Sequence, residues 1–204
     1  MSASIRADIV RLHERYGFTG LYVTHDQNEA LMLGQRVAVM DAGYLVQVDT
    51  PERLLAHPHT LQVAKLLAAP ALNLLALEDS ESLPAGCELA IRATALCPVT
   101  ADTAHALPVQ VLGSRHLVGG MLYRARLLEA VSLPLESRRA SAESELSARV
   151  RAGQELEFFI SDAQGGILSG TSPNSTFLSA GERVHLGVAA ERCFLFSCGK
   201  RFYL

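Results

Sequence analysis

The spacing of apolar positions changes several times along the first part of the chain, and each change predicts an element. Ile5, Ile9, Leu12 and Tyr16 recur at helical intervals, and Gly17 supplies a stop, so the chain opens with an amphipathic helix. Residues 21–23, Leu-Tyr-Val, have the length and composition of a buried strand. Thr24 and His25 stand at its C-terminal end. Asp26-Gln27-Asn28-Glu29 then reads as a capping box, in which Asp26 accepts from the backbone at Glu29 and opens a helix over 26–33. Residues 36–41 and 44–49 are two strand candidates separated by Ala42-Gly43, a hairpin turn. Thr50-Pro51-Glu52 starts another helix, with a capping hydroxyl, proline at the first helical position and an acid in the first turn. His57-Pro58-His59 interrupts it, and 61–67 predicts a further short helix.

The pattern then changes character. Glu78-Asp79-Ser80-Glu81-Ser82 is a polar break after Leu77, and it places a domain boundary between 1–78 and 79–204. Beyond it, helical periodicity gives way to short alternating runs. Ala85-Gly86-x-x-Leu89-x-Ile91, Ala152-Gly153-x-x-Leu156-x-Phe158 and Ala180-Gly181-x-x-Val184-x-Leu186 share one plan, a glycine turn followed by an alternating strand. Residues 109–112 and 122–128 add strand candidates around Gly119-Gly120. Residues 136–145, rich in Ser, Arg, Glu and Ala, read as an exposed loop or short helix. Such a run of short strands with glycine turns predicts a small barrel, OB-like in layout.

Composition narrows the chemistry. At 204 residues the chain allows one or two domains, and a net charge of −3 gives no nucleic-acid surface. Cys87, Cys97, Cys193 and Cys198 form no CxxC pair and have no neighbouring histidines to complete a zinc site; they read as reduced, partly buried thiols. The sequence shows no signal peptide and no apolar run long enough to span a bilayer. His57-x-His59 lacks a nearby carboxylate or cysteine and reads as a proline loop, and Arg138-Arg139 is two charges on an exposed segment. No Ser/His/Asp spacing stands out for nucleophilic catalysis.

The order helix–strand–helix–strand–strand–helix is that of the end of an α/β domain. Its strands, 21–23 above all, are apolar enough to want neighbours on both sides, and the sequence offers none. A histidine between a strand end and a helix start lies where open α/β sheets gather ligand-binding groups. The flanking residues are specific. Arg11-Leu12-His13 precedes the strand, and Val23-Thr24-His25-Asp26-Gln27 with Glu29-Ala30 follows. Arg36, Val39-Met40, Gly43, Gln47, Thr50-Pro51, Leu54, Pro58, Asn73 and Leu75 come after them at fixed intervals. Over about residues 5–77 this set resembles the ATP-binding-cassette (ABC) importer ATPases of the sugar, polyamine, ferric-iron and phosphonate type. Gln35 departs from the acid usual before the arginine, and Asp49 from the glycine before Thr50. The second part resembles, less specifically, the TOBE regulatory domain of those importers. Leu89-x-Ile91-Arg92, Leu112-Gly113-Ser114, Pro173-Asn174, Ala180-Gly181-Glu182-x-Val184 and Leu195-Phe196 carry that likeness, and Ala93-Thr94 departs from the usual Pro-Glu.

The resemblance implies an α+β chain in two parts: the C-terminal remnant of a P-loop ATPase domain, then a small all-β OB-like (TOBE) barrel. It implies that His25 contacts the γ-phosphate of ATP held with magnesium between two nucleotide-binding domains of the intact protein. Phosphoryl transfer to water is mostly positioning and charge stabilisation, so one placed donor such as an imidazole near neutral pH matters greatly. It further implies a homodimer working with transmembrane permease subunits, peripheral at the inner face of the plasma membrane, without nucleic acid and without direct insertion into the bilayer. The chain carries no GxxxxGK[ST] phosphate loop and no apolar strand ending in an Asp-Glu magnesium pair; Leu168-Ser169-Gly170-Thr171-Ser172 echoes the signature motif but reads as a loop. Alone, it is expected to bind no ATP or metal and to be inactive. The alternative is a stand-alone TOBE module that binds a small anion or only dimerises.

Overall fold

The structure, a computed structural model, describes residues 3–79, 83, 86–135, 147–161, 177–188, 192–197 and 199–201. Residues 136–145 and 168–172, Ala85, Pro173-Asn174 and Cys198, all singled out above, lie outside them. The chain divides into two compact units, Met1–Leu67 and Ala68–Leu204.

In the first unit, helix α1 (Ala3–Tyr16) ends where Gly17 takes φ +60° and returns its N–H to the His13 carbonyl at 2.8 Å. Helix α2 (Gln27–Leu33) follows, then strands β1 (Val37–Asp41) and β2 (Tyr44–Asp49). Their turn has φ +46° at Ala42 and +85° at Gly43, with Asp41 opposite Tyr44. Two consecutive positive φ angles are those of a type I′ turn, whose twist matches the strands it joins. Thr50 Oγ1 accepts from the Arg53 amide at 3.4 Å and caps helix α3 (Pro51–Ala56); Thr60 Oγ1 accepts from Val63 at 3.2 Å and caps α4 (Leu61–Leu66). The elbow between these helices is held by a buried amide on β2. Gln47 Nε2 donates to the His57 carbonyl at 3.0 Å, and its Oε1 accepts from the His59 amide at 2.9 Å. The small core of the unit is Val39, Leu54, Val63 and Leu67, with Leu31, Val37, Val46 and Leu55 against it.

One expected element is missing. Residues 21–23 form no strand: they run without ladder partners among the described residues, and Leu21 and Val23 are 93% and 86% exposed. A strand exists only where a neighbouring chain takes up its N–H and C=O groups, and composition alone cannot supply that neighbour.

The second unit is β-rich, consistent with an OB-like fold, and every strand pair described in it is antiparallel. A four-stranded sheet contains β3 (Leu72–Ala76), β4 (Cys87–Arg92), β12 (Cys193–Ser197) and β13 (Lys200–Arg201), in the order β13-β12-β4-β3. A 3-10 turn at Ala93–Ala95 leads from β4 to β5 (Leu96–Val99). The five-stranded sheet joins β5 to β6 (Leu107–Leu117), β7 (Gly120–Leu127), β10 (Glu155–Ser161) and β11 (Arg183–Val188), in the order β10-β7-β6-β11-β5. A separate hairpin pairs β8 (Val131–Pro134) with β9 (Ser147–Val150). All three contribute to one core, in which Tyr123 stacks on Phe158 at 5.1 Å between ring centroids. The three glycines of the internal repeat, Gly86, Gly153 and Gly181, have φ of +72°, +79° and +89°, and each turns the chain into a strand. Leu112 is the extra residue of a β-bulge, since Val111 faces Ala125 while Gly113 already faces Arg124.

The division between units falls before β3, earlier than the polar break after Leu77. The reason is pairing: β3 runs antiparallel to β4 from Leu72 opposite Arg92 to Ala76 opposite Glu88. Asn73 then ties it to β10, its Nδ2 donating to the Glu157 carbonyl at 2.7 Å and its Oδ1 accepting from the Glu157 amide at 2.6 Å. Gln154 does the same for Ala76, accepting from its amide at 2.6 Å and donating to its carbonyl at 2.9 Å.

Candidate functional site

His25 sits between the extended run and the first turn of α2, and the local sequence fixes that turn almost entirely through side chains. Asp26 is the N-cap of α2: its Oδ1 accepts from the amides of Asn28 at 2.8 Å and Glu29 at 3.2 Å. The reciprocal half of a capping box is not made by Glu29. Instead Thr24 Oγ1 accepts from the Asp26 amide at 3.0 Å, and the Thr24 hydroxyl donates in turn to Glu29 Oε2 at 3.0 Å. The Tyr22 hydroxyl donates to the same oxygen at 2.8 Å. Arg6 Nη1 on α1 lies 3.9 Å from Glu29 Oε1. Glu29 is thereby a buried carboxylate with two hydroxyls and a guanidinium among its partners. The hydrogen bond to Glu29, then burial and the charge on Glu29, raise the Tyr22 phenol above its ordinary value.

The imidazole of His25 is exposed, and no described residue hydrogen-bonds either ring nitrogen. Chemically the turn presents one ring able to donate to an oxyanion from the start of a short helix. Among the described residues no group of three His, Cys, Asp or Glu side chains could hold a metal ion. His57 and His59 are placed as an elbow whose backbone groups serve Gln47.

One feature escaped sequence reasoning. In the second unit an open pocket is lined by Thr103, His105, Pro108, Glu129, Ser132 and His185, among others. His105 has φ +60°, and its Nδ1–H donates to the Ser132 carbonyl at 2.8 Å. These residues are far apart in sequence and belong to no common motif, so only folding could bring them together. Among the described residues no helix is long and apolar enough to cross a membrane.

No family model matches the chain. Individual relatives do. It is 27% identical over 201 residues, 96% of this chain and 50% of the relative, to the maltose/maltodextrin import ATP-binding protein MalK of Aliivibrio fischeri. It is 36% identical over 151 residues, 66% of this chain and 43% of the relative, to the sn-glycerol-3-phosphate import ATP-binding protein UgpC of Ruegeria pomeroyi. Over 72 residues, 35% of this chain and 20% of the relative, identity to UgpC 1 of Rhizobium johnstonii reaches 49%. The chain spans about half the length of the curated relatives it matches. It is similar to ABC-importer ATP-binding subunits and fits a C-terminal part of one, as the motifs around His25 imply.

Proposed function

We propose that this chain is the C-terminal portion of an ATP-binding subunit of an ABC importer. Residues 1–78 then hold the end of its nucleotide-binding domain, a remnant of a P-loop ATPase fold, and 79–204 a TOBE regulatory barrel, with β3 assembled on the barrel side. His25 donates a hydrogen bond to the terminal phosphate of ATP in the intact subunit, where charge develops as the phosphoryl group leaves. ATP and magnesium are held there by residues outside this chain, because its own residues include neither a phosphate loop nor a magnesium pair. The chain alone is therefore inactive. The intact protein works as a homodimer on the cytoplasmic side of the plasma membrane, coupled to permease subunits and so to solute uptake.

One observation carries this reading: an apolar run exposed at Leu21 and Val23 leads straight into an exposed imidazole at His25. That is the arrangement expected of a sheet strand whose neighbours, and whose ligand, belong to the rest of a larger domain. The test is His25→Ala in the intact subunit assembled with its permease. ATP turnover should fall about a hundredfold, the loss typical of one oxyanion donor, while ATP affinity stays near normal. Wild-type turnover in the variant overturns the assignment. For the alternative, a stand-alone anion-binding or dimerising module, the open pocket at His105 and His185 is a weaker place, because Glu129 among its lining residues opposes an anion.

A further inference from the structure

We infer that Glu29 is the positioning residue of the His25 turn, and this rests on the role proposed above for His25. Tyr22 and Thr24, just before His25 in the chain, both deliver their hydroxyls to Glu29 Oε2, at 2.8 and 3.0 Å, while the imidazole itself is exposed. A single carboxylate oxygen therefore anchors the side chains that lead into the turn.

The same oxygen also reaches the turn itself. Thr24 Oγ1, held by Glu29, accepts from the Asp26 amide at 3.0 Å, and Asp26 caps the helix that carries Glu29. The residues on either side of His25 are thus closed into one ring of hydrogen bonds with Glu29 in it. Burial makes the carboxylate dependent on its donors, these two hydroxyls among them, since a desolvated carboxylate without donors is costly. The raised titration of the Tyr22 phenol is in keeping with a short bond to an ionised acceptor.

An oxygen acceptor, not a charge, is what the two hydroxyls need, and this gives the test its contrast. In the intact subunit, Glu29→Ala should lower kcat about tenfold, one hydrogen bond's worth, with KM for ATP within about twofold. Glu29→Gln keeps an amide oxygen for both hydroxyls and should recover most of that kcat. The double variant Tyr22→Phe, Thr24→Val removes the donors instead and should behave like Glu29→Ala. Amide hydrogen exchange on this 204-residue chain reads the turn directly: Asp26 should exchange about tenfold faster in Glu29→Ala and near normally in Glu29→Gln. Unchanged Asp26 exchange in Glu29→Ala, or a Gln variant as impaired as the Ala one, overturns the inference. His25→Ala run alongside keeps the two ideas apart: wild-type turnover there sinks the phosphate role, while the exchange measurement still decides the clamp.

Discussion

The two units of this chain treat apolar side chains in opposite ways. Among the described residues, the large apolar side chains left exposed lie in the first unit, apart from Val118 and Phe177. The buried apolar residues of that unit are few: Val39, Leu54, Val63, Ala64 and Leu67. The second unit closes both sheets and a hairpin over one continuous core, from Leu75 to Leu195. Yet the first unit is locally well specified, with a capped start to α2, α3 and α4 and a hairpin of defined turn type. Local order and self-sufficient stability are separate properties. The first comes from caps and turns, the second from area removed from water.

That comparison breaks most visibly if the units are separated. The four aliphatics of the first core contribute about 1.5–3 kcal/mol each on burial, against about 1–2 kcal/mol of backbone entropy for every residue ordered. Residues 1–67 expressed alone should show no cooperative thermal transition. Residues 68–204 alone should unfold in one cooperative step near the temperature of the whole chain, measured by calorimetry. A sharp transition in 1–67 would mean that the exposed faces need no cover.

Within the second unit, Asn73 is the place to probe how the sheets are joined. Its amide serves three backbone groups: the carbonyls of Ile91 and Glu157 and the Glu157 amide. Asn73→Ala leaves partly buried backbone groups without a partner, and should cost about 2–4 kcal/mol in chemical denaturation of the chain. Loss below about 0.5 kcal/mol would show that the bridge is incidental to the packing of β3.

What could be read in advance follows the same line. The Ala42-Gly43 hairpin, the Thr50-Pro51 helix start and the glycine turns at Gly86, Gly153 and Gly181 are local rules, and each holds in the structure. Asp26 caps α2 as its spacing from Glu29 implies. Residues 21–23 had the composition of a strand but not its partners, which depend on chain elsewhere. Gln47 and Asn73 figured as motif positions, yet their burial and backbone partners only the fold could reveal. At the candidate site the sequence identified His25 and assigned Glu29 to a capping box. The structure instead gives Glu29 the hydroxyls of Tyr22 and Thr24.

Two tyrosines sharpen the comparison at its finest scale. Both phenols are raised above the ordinary value of 10.0, for different reasons. Tyr123, stacked on Phe158 in the second core, is raised first by burial. Tyr22, half exposed, is raised first by its bond to Glu29, then by burial and the charge of that carboxylate. In each the folded state favours the neutral phenol, so its contribution is complete below pH 10.0 and is lost as pH rises through the higher folded value. Residue-resolved NMR titration of the ring carbons should therefore place both above 10.0. Glu29→Ala should bring Tyr22 back toward 10.0 and leave Tyr123 where it is. If Tyr22 does not move in Glu29→Ala, the first unit holds that ring by packing, and its resemblance to the second unit is greater than its exposure implies.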